Sequence, residues 1–173
     1  MKKALWALAP LVGLSLVLGW ANWPERDPLP VGTRADRVVV RKALRQLAIE
    51  REGQTLRTYA ISLGGEPMGA KQVEGDRRTP EGLYTLDYRN PGSCCFRSLH
   101  VSYPSDGDTR RARDQGLEPG GMIMIHGLRN GLGWIGRLHR VFDWTNGCIA
   151  VTNREMAELW LAVPDGTPIE IRP

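Results

Sequence analysis

The sequence predicts a mostly β fold, a sandwich or barrel of short strands, with one short helix after Cys148. Three observations support this. The chain carries 20 glycines and 12 prolines in 173 residues, a density of turn formers that divides it into short runs. Within those runs apolar residues alternate with period two rather than recurring every three or four positions. Capped helical patterning is confined to the stretch that follows Cys148, with a weaker helical turn around Arg110 to Gln115. The length suits a single domain large enough for a proper core.

The chain opens with Lys2-Lys3 and an almost continuously apolar run from Ala4 to Leu18. Gly19 and Ala21 then flank Trp20 at the spacing of a cleavage site, so residues 1–21 read as a signal peptide. The competing reading is an uncleaved anchor, because Ala4 to Trp23 reaches the roughly 20 residues that span a bilayer, although Pro10 and Gly13 weaken that helix. Both readings place the domain outside the cytoplasm, in a periplasm. Residues 22–36, with Pro24, Pro28, Pro30 and Gly32, read as a linker to a domain at 37–173.

The strands follow in order. Arg37 to Val40 forms a short strand, and Arg45 to Arg51 alternates with period two. Glu52-Gly53-Gln54 turns the chain into a second alternating run, Thr55 to Leu63, which Gly64-Gly65 ends. A polar loop from Glu66 to Arg78 precedes the strand Gly82 to Asp87. Arg89 to Arg97 is irregular, Leu99 to Tyr103 extended, and Ser105 to Pro119 a charged surface excursion. Met122 to Ile125 reads as a buried strand that delivers His126 at its end. Ile149 to Val151 follows Cys148 directly. Thr152 or Asn153 caps a helix running to Leu161, with Glu155 placing negative charge in its first turn. Pro164 stops that helix, and Ile169 to Ile171 closes the sheet.

Cys148 and His126 are the candidate catalytic pair. A thiol is mostly protonated at neutral pH and becomes a good nucleophile when a base takes its proton, a task suited to imidazole. Gly147 allows close approach of a substrate and leaves the Cys148 N–H free to face a developing oxyanion. Gly127 permits a tight turn beside the histidine. The rival bases are weaker: His139 lies in an Arg137-Leu138-His139-Arg140 loop, where flanking arginines lower its pKa and expose it, and His100 sits within a strand. The partner that orients His126 is a backbone carbonyl or a hydroxyl, Thr145 being the nearest candidate in the motif. A papain-like arrangement is disfavoured because here the histidine precedes the cysteine.

Composition excludes other classes. The net charge of +4 includes Lys2 and Lys3; without them 21 Lys+Arg face 19 Asp+Glu, too small an excess for a nucleic-acid footprint. Cys94 and Cys95 are expected as free thiols, because a vicinal disulfide needs a strained ring. No Cys-x-x-Cys pair or spaced histidine set suggests a metal, and no cofactor is expected.

The segment from His126 to Val151, with His126-Gly127 at a strand end and Thr145-Asn146-Gly147-Cys148-Ile149, resembles the signature of the L,D-transpeptidase catalytic domain (YkuD-like) family. Thr79-Pro80-Glu81-Gly82 and Val163-Pro164-Asp165-Gly166-Thr167-Pro168-Ile169 resemble two further motifs of that family, so the likeness spans roughly Arg37 to Arg172. The resemblance implies a β-sandwich or barrel of the L,D-transpeptidase type. It implies that Cys148, with His126 as base, forms a thioester on the tetrapeptide stems of peptidoglycan, and that the Gly147 and Cys148 N–H groups hold the oxyanion. An amine then takes the acyl group, in cell-wall cross-linking or in attachment of a protein such as a wall-attached lipoprotein. Two departures stand out: Asn146 replaces the histidine, and Ala150 the arginine, of many members. The long loop Leu128 to Asp143, carrying Trp134, Arg137, His139 and Arg140, is the candidate wall of a substrate subsite. The alternatives are a hydrolase on the same scaffold that cuts bonds to meso-diaminopimelate, and a non-enzymatic wall-binding domain. The membrane enters only through the N-terminal segment.

Overall fold

The computed structural model of the chain describes residues 13–24 and 26–173. Eight strands, β1 (Arg37–Arg41), β2 (Gln46–Arg51), β3 (Gln54–Ala60), β4 (Gly82–Asn90), β5 (Ser98–Val101), β6 (Met124–His126), β7 (Ile149–Ala150) and β8 (Thr167–Arg172), join in one curled sheet. Their order is β3-β2-β1-β8-β4-β5-β6-β7. The mostly β expectation holds, as one continuous sheet. β1 to β3 form a meander with the turn at Glu52-Gly53, and β8 runs parallel to β1 and antiparallel to β4. Residues 13–22 form helix α1, followed by α2 (Asp106–Arg113), a 3-10 segment (Gly133–Val141) and α3 (Asn153–Ala162).

The core follows the period-two pattern. Val38, Val40, Leu47, Ile49, Leu86, Leu99, Ile125, Ile149, Ile169 and Ile171 all enter one apolar cluster, which Met156 and Leu159 of α3 complete. α3 begins where its capping box dictates: the Thr152 hydroxyl accepts from the Glu155 N–H, and the Glu155 carboxylate accepts from the Thr152 N–H at 2.9 Å. Thr152, not Asn153, is therefore the cap.

Several boundaries shift for local reasons. α2 starts at Asp106 rather than near Arg110, because Ser105 and Asp108 form a second capping box. β6 begins at Met124 rather than Met122, since Met122 has φ 56, a left-handed conformation that breaks the ladder. β3 ends at Ala60, yet Ser62 and Gly64 continue as isolated bridges to Ala150 and Thr145. The loop after Leu128 coils into the 3-10 segment. The stretch expected as a linker lies against the domain: Leu29 packs on the core and the Asp27 carbonyl accepts from Arg57 at 2.8 Å.

The targeting signals at Lys2-Lys3, and the apolar run up to residue 12, lie outside the described residues. Among the described residues no helix is long and apolar enough to cross a membrane.

Candidate active site

Parallel pairing of β6 with β7 sets Ile125 against Ile149 and His126 against Ala150. Because Ile125 and Ile149 enter the core, alternation sends the side chains of Met124, His126 and Ala150 to the opposite face, and Cys148 with them. One residue before β7, Cys148 stands opposite Met124: its Sγ accepts from the Met124 N–H at 3.4 Å and donates to the Met122 carbonyl at 3.6 Å. The left-handed Met122 backbone thus turns its carbonyl toward Cys148.

His126 is buried, and its Nδ1–H donates to the Gly127 carbonyl at 2.6 Å. That contact assigns the tautomer and leaves Nε2 as the basic nitrogen. A carbonyl, not Thr145, orients the imidazole, so one of the two expected kinds of partner is realised. Burial lowers the His126 pKa, and the Gly127 carbonyl opposes that shift. Burial raises the Cys148 pKa, with the Met124 N–H and the Lys71 ammonium working against it and Cys94 adding to it. Both directions favour the neutral forms, thiol and imidazole.

Thr145 organises the loop before Cys148. Its hydroxyl donates to the Cys148 carbonyl at 2.7 Å and accepts from the Gly147 N–H at 3.1 Å. This corrects the expectation for Gly147: its N–H is already engaged, and only the Cys148 N–H of the expected pair is left to face an oxyanion. Gly147 has φ +119, and a Cβ there would lie 2.6 Å from the Arg78 carbonyl, so both conformation and space require glycine. Asp143 ties the same loop to the strand beside it, accepting from the Leu63 N–H at 2.8 Å and from Arg45 Nε at 2.9 Å. At Gly127 the reason for glycine is close approach rather than turning: a Cβ would fall 2.7 Å from Asn153 Oδ1.

His139 is buried, not solvent-exposed. Its Nδ1 lies 3.2 Å from Ser62 Oγ and 3.5 Å from Trp144 Nε1. Burial, and then the nearby Arg140 charge, push its pKa down to about 3. Trp144 lies between the two histidines, edge-on to His126 at 5.8 Å and to His139 at 6.4 Å between ring centroids. The 3-10 segment therefore reaches the site through His139 and Trp144.

The other residues expected at the substrate wall are engaged elsewhere. Arg140 Nη2 donates to both carboxylate oxygens of Glu155 of α3, at 2.6 and 2.7 Å. Arg137 donates to the Trp20 carbonyl and lies over the Trp20 ring at 4.4 Å. The Trp134 carbonyl accepts from Asn22, and its side chain is exposed. Arg137 and Arg140 line a cavity of about 410 Å3 together with Asn22, Trp23 and Arg57, and Cys148 is not among its lining residues. His100 pairs with Asp87 at 2.7 Å and stacks on Tyr88. Cys94 and Cys95 are free thiols with Sγ atoms 3.1 Å apart, and burial next to Cys94 pushes Cys95 up to about 12.

Sequence reasoning missed the parts played by Trp144, Asp143 and Met122. The first two were signalled by the Asp143-Trp144 pair that opens the cysteine motif. The third had no signal, since nothing in the sequence announces a left-handed methionine.

The model of the L,D-transpeptidase catalytic domain (YkuD) matches residues 35–171. YafK of Escherichia coli (strain K12), provisionally named an L,D-transpeptidase, is 29% identical over 110 residues, which are 62% of this chain and 37% of that protein. The chain thus spans little more than a third of the length of this curated relative. Among solved structures, the helical cell shape determining protein Pgp2 from Campylobacter jejuni superposes with a TM-score of 0.61 at 23% identity, over 91% of this chain and 54% of that one. The L,D-transpeptidase from Xylanimonas cellulosilytica superposes at 0.51 and 19% identity, over 85% and 65%. At these identities the superpositions show the fold.

Proposed function

The chain belongs to the L,D-transpeptidase catalytic domain family, and from that premise we propose that it is an exported acyltransferase of peptidoglycan tetrapeptide stems, with Cys148 as nucleophile and His126 as base. The observation that carries this reading is the placement of Cys148 and His126 on one face of adjacent parallel strands, with His126 Nδ1 tied to the Gly127 carbonyl.

In the proposed cycle the Cys148 thiol gives up its bond to the Met122 carbonyl and passes its proton to His126 Nε2 as sulfur attacks the meso-diaminopimelate carbonyl. The Cys148 N–H faces the oxyanion. Collapse expels D-alanine, whose amine takes the proton back from His126, and leaves a thioester on Cys148. An incoming amine attacks the thioester carbonyl, His126 accepts the amine proton, and sulfur leaves and is reprotonated. The new bond is an amide to a second stem or to a protein amine. Transfer outcompetes hydrolysis only if the acceptor amine is held at high effective concentration.

The test is incubation of the purified chain with tetrapeptide muropeptides and mass spectrometry of the products. Stem dimers with loss of D-alanine, absent in Cys148→Ser, are expected. Release of D-alanine with gain of water alone would make the chain a hydrolase, and no turnover at all would leave a wall-binding domain.

A further inference from the structure

α1 and the 3-10 segment are fitted to each other. Ala21, expected at the cleavage site, is only 2% exposed. Its carbonyl would lie 2.4 Å from a Cβ on Gly136, which has φ +53, so the kink in the 3-10 segment is shaped around the last turn of α1. Asn22 Nδ2 donates to the Trp134 carbonyl at 2.7 Å and to the Leu18 carbonyl at 2.9 Å. Arg137 caps the same turn through the Trp20 carbonyl and ring. A removable leader has no need of such a seat on the domain that it leaves behind.

The outer side of this junction is apolar and aromatic. Trp20, Trp23, Trp134 and Val141 are all exposed, as is Phe142 next in the chain. Trp20 and Val141 share a cleft of about 290 Å3 with Leu138, Arg137 and Arg140. Arg26 and Arg154 line the adjoining cavity, whose two carboxylates, Glu155 and Glu158, already pair with Arg140 and Arg57. Exposed tryptophan rings bordered by arginines suit the boundary between acyl chains and anionic headgroups, where an indole buries its apolar body and keeps its N–H wet. Leu14, Leu16 and Val17 of α1 are exposed as well.

We infer that α1 is retained after export and that the face made by α1 and the 3-10 segment rests on the anionic phospholipid surface of the exporting membrane. The domain is then held against the bilayer in one orientation, and not tethered loosely above it.

The test uses the full chain recovered from exporting cells. Intact mass is expected to include the residues before Asn22; a mature chain beginning at Asn22 would overturn the inference. The chain with Trp6→Phe, Trp20→Phe and Trp23→Phe is then placed in vesicles of phosphatidylcholine and phosphatidylglycerol bearing brominated acyl chains. The fluorescence that a further Trp134→Phe change removes is expected to be quenched by bromine. Trp134 belongs to the catalytic domain, so its emission reports the docked face and not the anchor. Undiminished Trp134 emission in a chain with a retained N-terminus would equally sink the idea.

Discussion

Cys148 and His126 share a face of β6 and β7, yet the Cys148 Sγ–H points at the Met122 carbonyl, 3.6 Å away. A thiol that donates to a carbonyl is not a thiolate held by an imidazolium. The raised Cys148 pKa and the lowered His126 pKa point the same way. In the proposed cycle both groups then start neutral, and proton transfer accompanies attack rather than preceding it.

Alkylation by iodoacetamide should therefore report a thiol that ionises above its ordinary value of 9.0. The rate at Cys148 is expected to climb steadily through neutral pH into the alkaline range. A plateau already reached at mildly acid pH would reveal a preformed ion pair. Peptide mapping separates Cys148 from Cys94 and Cys95.

Replacing His126 by Gln should lower kcat/KM by about 10²–10⁴, the contribution of a positioned acid–base group. His139→Gln should cost far less, because His139 reaches His126 only across Trp144. The reverse order, measured with a tetrapeptide donor, would move the base to the 3-10 segment.

The two histidines should make the protein acid-sensitive. An unfolded histidine titrates near 6.5, whereas folded His139 titrates at about 3 and His126 is lowered too. Below pH 6.5 the unfolded chain thus binds more protons. Stability is complete above that pH and is lost as the pH falls through the window down to the folded values, by up to about 1.4 kcal/mol per pH unit for each group. Urea unfolding from pH 7 to pH 4 should show the loss, with a shallower slope in His139→Gln. An unchanged slope in that variant would remove His139 from the account.

Arg140→Ala should act on stability before it acts on substrate use. The Arg140–Glu155 pair is largely shielded, with side chains 15% and 18% exposed, and Glu155 also completes the α3 capping box. A loss of about 1–3 kcal/mol in chemical unfolding is expected, the scale for a buried charged partner left unpaired. A tenfold rise in donor KM with unfolding unchanged would instead make Arg140 a carboxylate grip.

Thr145→Val removes one hydroxyl and two hydrogen bonds, to the Cys148 carbonyl and from the Gly147 N–H. At about 0.5–1.5 kcal/mol each, kcat should fall on the order of tenfold. Thr145→Ser should restore it. Failure of serine to rescue would mean that the threonine methyl, not the hydroxyl, matters.

Strands were legible in the sequence wherever alternation met a strong turn, as at Gln46–Arg51 and Glu52-Gly53, because Leu47 and Ile49 send the larger apolar side chains to one face, where they enter the core, and only the small Ala48 is buried on the other. α3 was legible through Thr152, Glu155 and Pro164. The placement of Cys148 and His126 at two strand ends was legible, but not the contacts that hold each of them. Which groups of a loop are already engaged depends on contacts made across the chain, such as Asp143 with Leu63 and Arg45. The 3-10 segment was opaque for a related reason. Its partners, Trp20, Ala21 and Asn22, lie over a hundred residues away in sequence, in a stretch whose composition suggested a leader and a linker.

β8 lies between β1 and β4, so the last strand made is the seam between the two halves of the sheet. Without β8 the β1–β3 meander and the β4–β7 half meet through the Ser62–Ala150 and Gly64–Thr145 bridges and the contacts of Asp143 with Arg45 and Leu63, and no full strand ladder joins them. Closure waits for Thr167–Arg172, and with it the burial of Ile169 and Ile171. Loss of the eight-residue segment from Pro164 to Ile171 would therefore break the sheet in its middle and not merely trim its edge.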